Sequence, residues 1–274
     1  MLRRLSSQVE QSGTVFSPTP SGTSNCLRPT RSTPRRPAIL PRNCQSCSVL
    51  GNPTFDTLSS KALRDFDSIG ICRQRESHTV LFHEGLPADH LLIICAGRIK
   101  VTASSSNGRL FLLRVAGPGD ILGLAALHEQ TAHRVTAETL SPCTIKSIPR
   151  ADYIRIMKTN PDVSLITALA IAREYQSAFL SARRLALHTS AAGKLASTLL
   201  DWARLDEGAD SPIPTNLPIS FLMQLNQEEL GSMAGLSRET VSRLLTRFRR
   251  EGLIDQSEDR MTLNNPGRLE ARYR

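Results

Sequence analysis

One stretch, residues 225–250, constrains this chain more than any other, because it carries the end signals of two helices separated by a two-residue turn. Leu225-Asn226-Gln227-Glu228-Glu229-Leu230 reads as a helix start. Asn226 is placed to cap the first unpaired N–H groups, and Glu229, three residues on, completes a capping box. Leu225 and Leu230 occupy the two positions of a hydrophobic staple. Met233 and Ala234 continue a buried face, and Gly235 stands where a helix ends on a left-handed residue. Ser237 then caps a second helix, in which Val241, Leu244, Leu245 and Phe248 recur at helical spacing and form one apolar face. Arg238, Glu239, Ser242 and Arg243 fall on the opposite face, near the N-terminus.

Two capped helices across so short a turn predict a helix-turn-helix, whose second helix presents this part of its surface to the major groove of double-stranded DNA. Arginine can donate twice to the N7 and O6 of guanine, and glutamate can accept from the N4 of cytosine. Arg238, Glu239, Ser242 and Arg243 are therefore the expected base readers. Ser237, Thr240, Arg247 and Arg250 are expected at phosphates. Downstream, 253–254 and 261–263 are short β segments joined by 256–260, which predicts a two-stranded wing.

Charge focusing supports an anionic partner more than the net charge of +9 does. Residues 188–274 hold 11 basic and 12 acidic side chains, yet within the second helix Arg238, Arg243, Arg247, Arg249 and Arg250 oppose only Glu239. A basic cluster on one helix is what a polyanion meets. The net excess lies elsewhere: residues 43–187 hold 16 basic and 12 acidic side chains, and residues 1–42 carry seven arginines against Glu10 alone, with six Pro, seven Ser and five Thr. That composition buries too little surface to offset its ordering entropy, so 1–50 is expected to be a disordered basic tail. Its arginine- and serine-rich, acid-poor character also resembles a transit peptide. No run of about 18 apolar residues occurs and the start holds no secretory-type apolar stretch, so a cytoplasmic protein with no membrane partner is expected.

From about 55 to 150 the pattern is one of short strands. Runs at 78–83 and 90–95 flank a turn at 85–89, runs at 98–104 and 109–115 flank Asn107-Gly108, and 136–148 supplies further alternating strand. Many short strands with Gly turns predict a sandwich or jelly roll over 51–160. After Pro161 the period changes. Leu165, Ile166, Leu169, Arg173, Gln176, Leu180, Arg184 and Leu187 mark one side of a long helix, and no Pro or Gly interrupts 162–192. A dimer seam over 161–190 is the economical reading; a helix folded back on its own domain is the alternative. Residues 195–202 continue as another helix, and 206–219 read as a loop before the winged unit that completes 191–274.

Ser237-Arg238-Glu239-Thr240-Val241-Ser242-Arg243, followed by Gly252-Leu253-Ile254, resembles the recognition helix of the Crp/Fnr superfamily, the group of the cyclic-AMP receptor protein and the fumarate and nitrate reduction regulator. The resemblance covers about residues 55–270, with Gly85, Gly97, Gly119-Asp120 and Gly123 at its β-roll turns. It implies an α+β fold: an N-terminal β-roll (a jelly roll like a cyclic-nucleotide-binding domain), a long dimerisation helix and a C-terminal winged helix-turn-helix. It further implies a homodimer on an imperfect palindrome with TGA-containing half-sites, RNA polymerase as protein partner, and no catalysis.

The effector positions depart from the cyclic-nucleotide pattern. Where relatives that bind cyclic AMP carry Gly-Glu-Leu for the ribose, Gly123 is followed by Leu124, and their Arg-Ser pair aligns with His133 and Arg134. Gly123, His133 and Arg134 are the candidate effector residues. Arg134 can still meet an anion, but the ribose carboxylate is missing, and Ser177-Ala178-Phe179 stand where adenine contacts belong. Cyclic AMP is thus not the expected effector, and a regulator without one remains an alternative. Cys44 and Cys47 lie where oxygen-sensing relatives bind an iron–sulfur cluster, which needs about four thiolates. Cys26, Cys72 and Cys143 stand at spacings unlike those relatives', Cys143 about three residues from the distant cysteine they use, so a cluster, a thiol switch and no role for the pair all stay open. A cupin-like metal enzyme with an appended binding module is the competing class, but His78, His83, His90, His128 and His133 lack the His-x-His spacing it requires.

Overall fold

The computed structural model describes residues 55, 57–108, 110–127, 132–187, 190–207 and 215–273. The expectations for the basic tail and for Cys26, Cys44, Cys47 and His128 therefore lie outside the described residues.

The chain enters through a short helix, α1 (Ser60–Ser68), with Ser59 Oγ accepting from Ala62 N at 3.3 Å as its N-cap. The sequence pattern assigned this region to strands. What makes it helical is a tertiary contact: Phe66 is fully buried with its ring 5.6 Å from Phe55 and 6.1 Å from Tyr153. Lys146, a buried cation, donates to the Phe66 carbonyl at 2.8 Å and so closes the far end of α1.

Eight strands follow: β1 (Ile71–Arg75), β2 (Val80–Phe82), β3 (His90–Ala96), β4 (Ile99–Ser104), β5 (Leu110–Ala116), β6 (Ile121–Leu122), β7 (Thr136–Thr139) and β8 (Cys143–Pro149). They form two antiparallel sheets in the orders β1-β8-β3-β6 and β2-β7-β4-β5. Between them Ile94, Ile99, Val101, Ala116, Leu122, Ala137 and Ile145 form a common core cluster. Each such side chain contributes on the order of 1.5–3 kcal/mol of burial. The β4–β5 hairpin closes as expected around Asn107-Gly108, with Gly108 at φ 78°.

Two strand expectations are corrected. Residues 78–83 shorten to β2, because His78 adopts φ 61° and leaves the extended region. Residues 136–148 are two strands in different sheets rather than one. The corner between them contains Pro142, which has no N–H to donate to a ladder, and it packs on Gly97. A Cβ at Gly97 would stand 2.5 Å from Cys143 Sγ and 2.6 Å from the Pro142 carbonyl, and its φ of 90° also excludes other residues at low cost.

A helix absent from the sequence reading, α2 (Arg150–Thr159), leads into α3 (Pro161–Leu187). The long helix is described to Leu187, and Ser190 starts α4 (Ala191–Glu207) by accepting from Gly193 N at 2.9 Å. Val163, Ile166 and Ala170 bury against the β-roll, whereas Leu165, Leu169, Phe179, Leu180 and Leu187 remain exposed. Among the described residues no helix is long and apolar enough to cross a membrane. The C-terminal part holds β9 (Ile219–Leu222), α5 (Gln227–Ala234), α6 (Arg238–Arg250), β10 (Ile254–Ser257), β11 (Arg260–Leu263) and α7 (Pro266–Tyr273). The wing is a three-stranded sheet, β10-β11-β9, so Ile219, read as loop, begins a strand. Trp202 is fully buried in the C-terminal core and donates to the Leu222 carbonyl at 2.9 Å.

Candidate nucleic-acid interface

The two helices form as their end signals require. Asn226 Oδ1 accepts from the N–H groups of Glu228 and Glu229, both at 2.9 Å, and Glu229 Oε2 accepts from Asn226 N at 3.0 Å. Gly235 ends α5 at φ 68°. Leu236 N then donates to the Gly231 carbonyl at 2.8 Å, and a Cβ on Gly231 would lie only 2.8 Å from Leu236 O, so the two helices turn at van der Waals contact. Ser237 Oγ accepts from Thr240 N at 3.3 Å to start α6. Val241, Leu245 and Phe248 are buried beneath it and Leu244 is half-buried.

That burial turns Arg238, Glu239, Ser242 and Arg243 outward, all four exposed on the first turns of α6. Glu239 sits below the ordinary carboxylate range, held there first by a backbone N–H at the helix start, then by the Ser237 hydroxyl and the neighbouring guanidiniums of Arg238 and Arg243. It is thus kept ionised and able only to accept, which suits an amino group on a base edge. Arg243 leans on Thr240, Nη2 to Oγ1 at 3.4 Å. Ser237 and Thr240 share a 3.1 Å hydroxyl contact at the helix start, and Arg250 is exposed near its end.

Arg247 has neighbours that the sequence did not foreshadow. Its Nε donates to Glu251 Oε1 at 2.9 Å, while Glu251 Oε2 accepts from Tyr273 Oη at 2.7 Å and pairs with Arg272 Nε at 3.0 Å. The Tyr273 ring packs 4.9 Å from Phe248, with the Arg247 and Arg272 guanidiniums 5.6 and 5.9 Å from its centre. The Tyr273 hydroxyl, then Arg247, hold Glu251 below its usual range. The signal available in sequence was the amphipathic spacing of Leu269 and Tyr273 beyond Pro266, too short to stand out.

The candidate effector residues are only partly brought together. A Cβ on Gly123, at φ 84°, would lie 3.8 Å from His133 Cε1. His133 stacks on Phe82 at 3.8 Å, and burial holds its imidazole below the ordinary range against the pull of Asp89. Arg134 is exposed. A cavity of about 230 Å³ opens instead between β4, β5 and α3, lined by Val101, Phe111, Leu113, Ala178, Ala182 and Leu185 and by none of those three residues. A neighbouring cleft of about 290 Å³ shares Arg114, Ser177 and Ser181 with it and reaches Asp201 on α4 and Met233 on α5.

Cys143 is buried, its thiol pushed up by that burial, and it donates to the Ser141 and Arg98 carbonyls at 3.1 and 3.4 Å. Among the described residues no group of three or more His, Cys, Asp or Glu side chains is arranged to hold a metal ion.

Known proteins match both parts. The model of the Crp-like helix-turn-helix domain matches residues 193–272, and that of the cyclic nucleotide-binding domain matches 72–160. The probable transcriptional regulator flp of Lacticaseibacillus casei is 31% identical over 225 residues, spanning 82% of this chain and 97% of its own. The cAMP-activated global transcriptional regulator CRP of Pasteurella multocida is 29% identical over 179 residues, 65% of this chain and 82% of its own. Among solved structures, FixK2 from Bradyrhizobium japonicum shares the fold with a TM-score of 0.63 at 20% identity, covering 74% of this chain and 96% of its own.

Proposed function

The chain belongs to the Crp/Fnr family of transcription regulators, and from that premise we propose that it acts as a homodimer on a palindromic operator, with its signal received at the β-roll. The observation that carries the reading is the exposed first two turns of α6, where Arg238, Glu239, Ser242 and Arg243 stand together on a rigid, doubly capped scaffold. An operator half-site read by such a helix is matched by a second one about 34 Å away, which requires two copies of the chain. The apolar residues left uncovered along α3, from Leu165 through Leu169 and Phe179 to Leu187, supply a surface for the second copy. RNA polymerase is the proposed protein partner.

The signal reaches DNA through α3 and α4, since the cavity beside α3 adjoins a cleft bounded by both the β-roll and α5. Leu124 stands where a ribose would need a carboxylate, and Arg134 lies outside the cavity; both speak against cyclic AMP. The test begins with selection of duplexes from a random pool, followed by titration of the selected operator with Arg243→Ala. The expected loss is about 1–3 kcal/mol with relaxed preference at one base pair. If the variant binds the selected operator as tightly and as selectively as the wild type, the reading of α6 fails.

A further inference from the structure

The first helix of the helix-turn-helix, α5, is fastened to the β-roll by contacts that the DNA-reading function does not itself require. Among the described residues β5 is the outer strand of its sheet, with no strand paired to its other edge. Ser232 of α5 fills part of that edge: Leu112 N donates to Ser232 Oγ at 2.9 Å, and Ser232 Oγ donates to the Leu110 carbonyl at 2.9 Å. The side chains of Leu112 and Val115 join Leu225, Leu230 and Met233 in one buried cluster.

Beside this seam lies Lys100, on β4 directly across from Glu138 of β7. Its Nζ is 3.0 Å from Glu138 Oε1 and 2.9 Å from Glu229 Oε1, and its side chain is 15% exposed. Glu229 is the capping-box residue of α5, whose other oxygen holds Asn226 N. One carboxylate therefore serves both the start of the helix-turn-helix and the sensor sheet. Burial works to lower the Lys100 pKa, and the bonds to Glu229 and then Glu138 more than offset it, so the ammonium stays charged. Without it, two carboxylates would face each other across the seam. The base-reading face of α6 is open in this arrangement, so the contact orients the helix without covering it.

We propose that Lys100 is a positioning residue for DNA binding: shared between Glu138 of the sensor and Glu229 of α5, its ammonium fixes the orientation in which the recognition helix is offered to the operator. The inference rests on α6 being the DNA-reading helix. A fixed orientation matters because two recognition helices must meet successive major grooves together, and ordering loose units costs affinity that a preorganised pair keeps.

The experiment uses the full chain with Lys100→Met, Lys100→Arg and Glu229→Gln, the last retaining the capping box, which accepts Gln at this position. Two readouts are taken: amide hydrogen exchange, and affinity for the selected operator and for a scrambled duplex. In Lys100→Met, exchange at Leu112 N is expected to accelerate about tenfold, the scale of one hydrogen bond to a charged group, while the rest of the β4–β5 ladder keeps its protection. Operator affinity falls by a similar factor and scrambled-duplex affinity does not. Lys100→Arg restores both, and the Lys100→Met/Glu229→Gln pair is no worse than either single change. Unchanged Leu112 exchange, or faster exchange with operator affinity unchanged or raised, overturns the proposal. Failure of the DNA-reading premise has its own signature: Arg243→Ala would then bind like the wild type while the exchange result stands by itself.

Discussion

The helix-turn-helix and the β-roll each bury a hydrophobic core, yet they assemble by opposite logic. In α5 and α6 the contacts that cap the helices and close the turn between them span three to five residues: Asn226 with Glu229, Ser237 with Thr240, Gly231 with Leu236. In the β-roll the organising contacts span far more. Thr79 and Thr139 bond each other across the sheet, Arg98 N reaches Ser141 Oγ, and Lys146 reaches the end of α1. Local contacts write themselves into sequence spacing. Distant ones leave a residue whose neighbours are chosen by the fold.

The comparison breaks most sharply at Phe248, where a locally patterned helix depends on a non-local core. Phe248→Ala opens a cavity beneath α6 and beside Tyr273, and should cost about 3–5 kcal/mol. Denaturant unfolding checks it, and a loss under 1 kcal/mol would mean that α6 is held by its caps alone. Gly97→Ala is the counterpart in the β-roll. With backbone and Cys143 Sγ inside 3 Å of the new methyl and φ at 90°, the strain alone is on the order of 1–3 kcal/mol, to be read as a lowered melting temperature. Asn226→Ala removes a strictly local device and should cost about 0.5–2 kcal/mol, with amide exchange rising at Glu228 and Glu229 first.

The smallest effect is a pH slope carried by His133. Its folded-state pKa lies below the unfolded value because burial disfavours the charged ring. The unfolded chain therefore binds its proton first as pH falls, and the stability contributed by neutral His133 is present above about pH 6.5 and lost below it. His133→Gln should flatten the stability curve between pH 7 and 5. If that slope survives the substitution, another group carries it.

The second helix, its caps and its apolar face were legible residue by residue, because helix ends and amphipathic faces are properties of short windows; the wing was legible only as two short strands, with shifted bounds and without β9. α1 and α2 were not. Phe66 and Tyr153 mark them only once the fold has brought the two rings together. The splitting of 136–148 between two sheets depends on Gly97, some forty-five positions away in the chain. Among the candidate effector residues, Gly123 was recognisable as a turn glycine, but the cavity beside α3 is lined by residues from β4, β5 and α3 whose convergence no spacing records. Arg247 was legible as a cation and its Glu251–Tyr273 anchor was not.

The sequence by itself determined that the C-terminal part holds a capped helix pair with an exposed polar face, and that the middle of the chain is a strand-rich sandwich. Only the tertiary structure decided where that helix pair is docked, through Ser232 on the open edge of β5 and Lys100 between Glu138 and Glu229. The reason is physical: a cap closes within one turn and needs only its neighbours, whereas an ion pair between residues 100 and 229 exists only after two separately organised layers have packed.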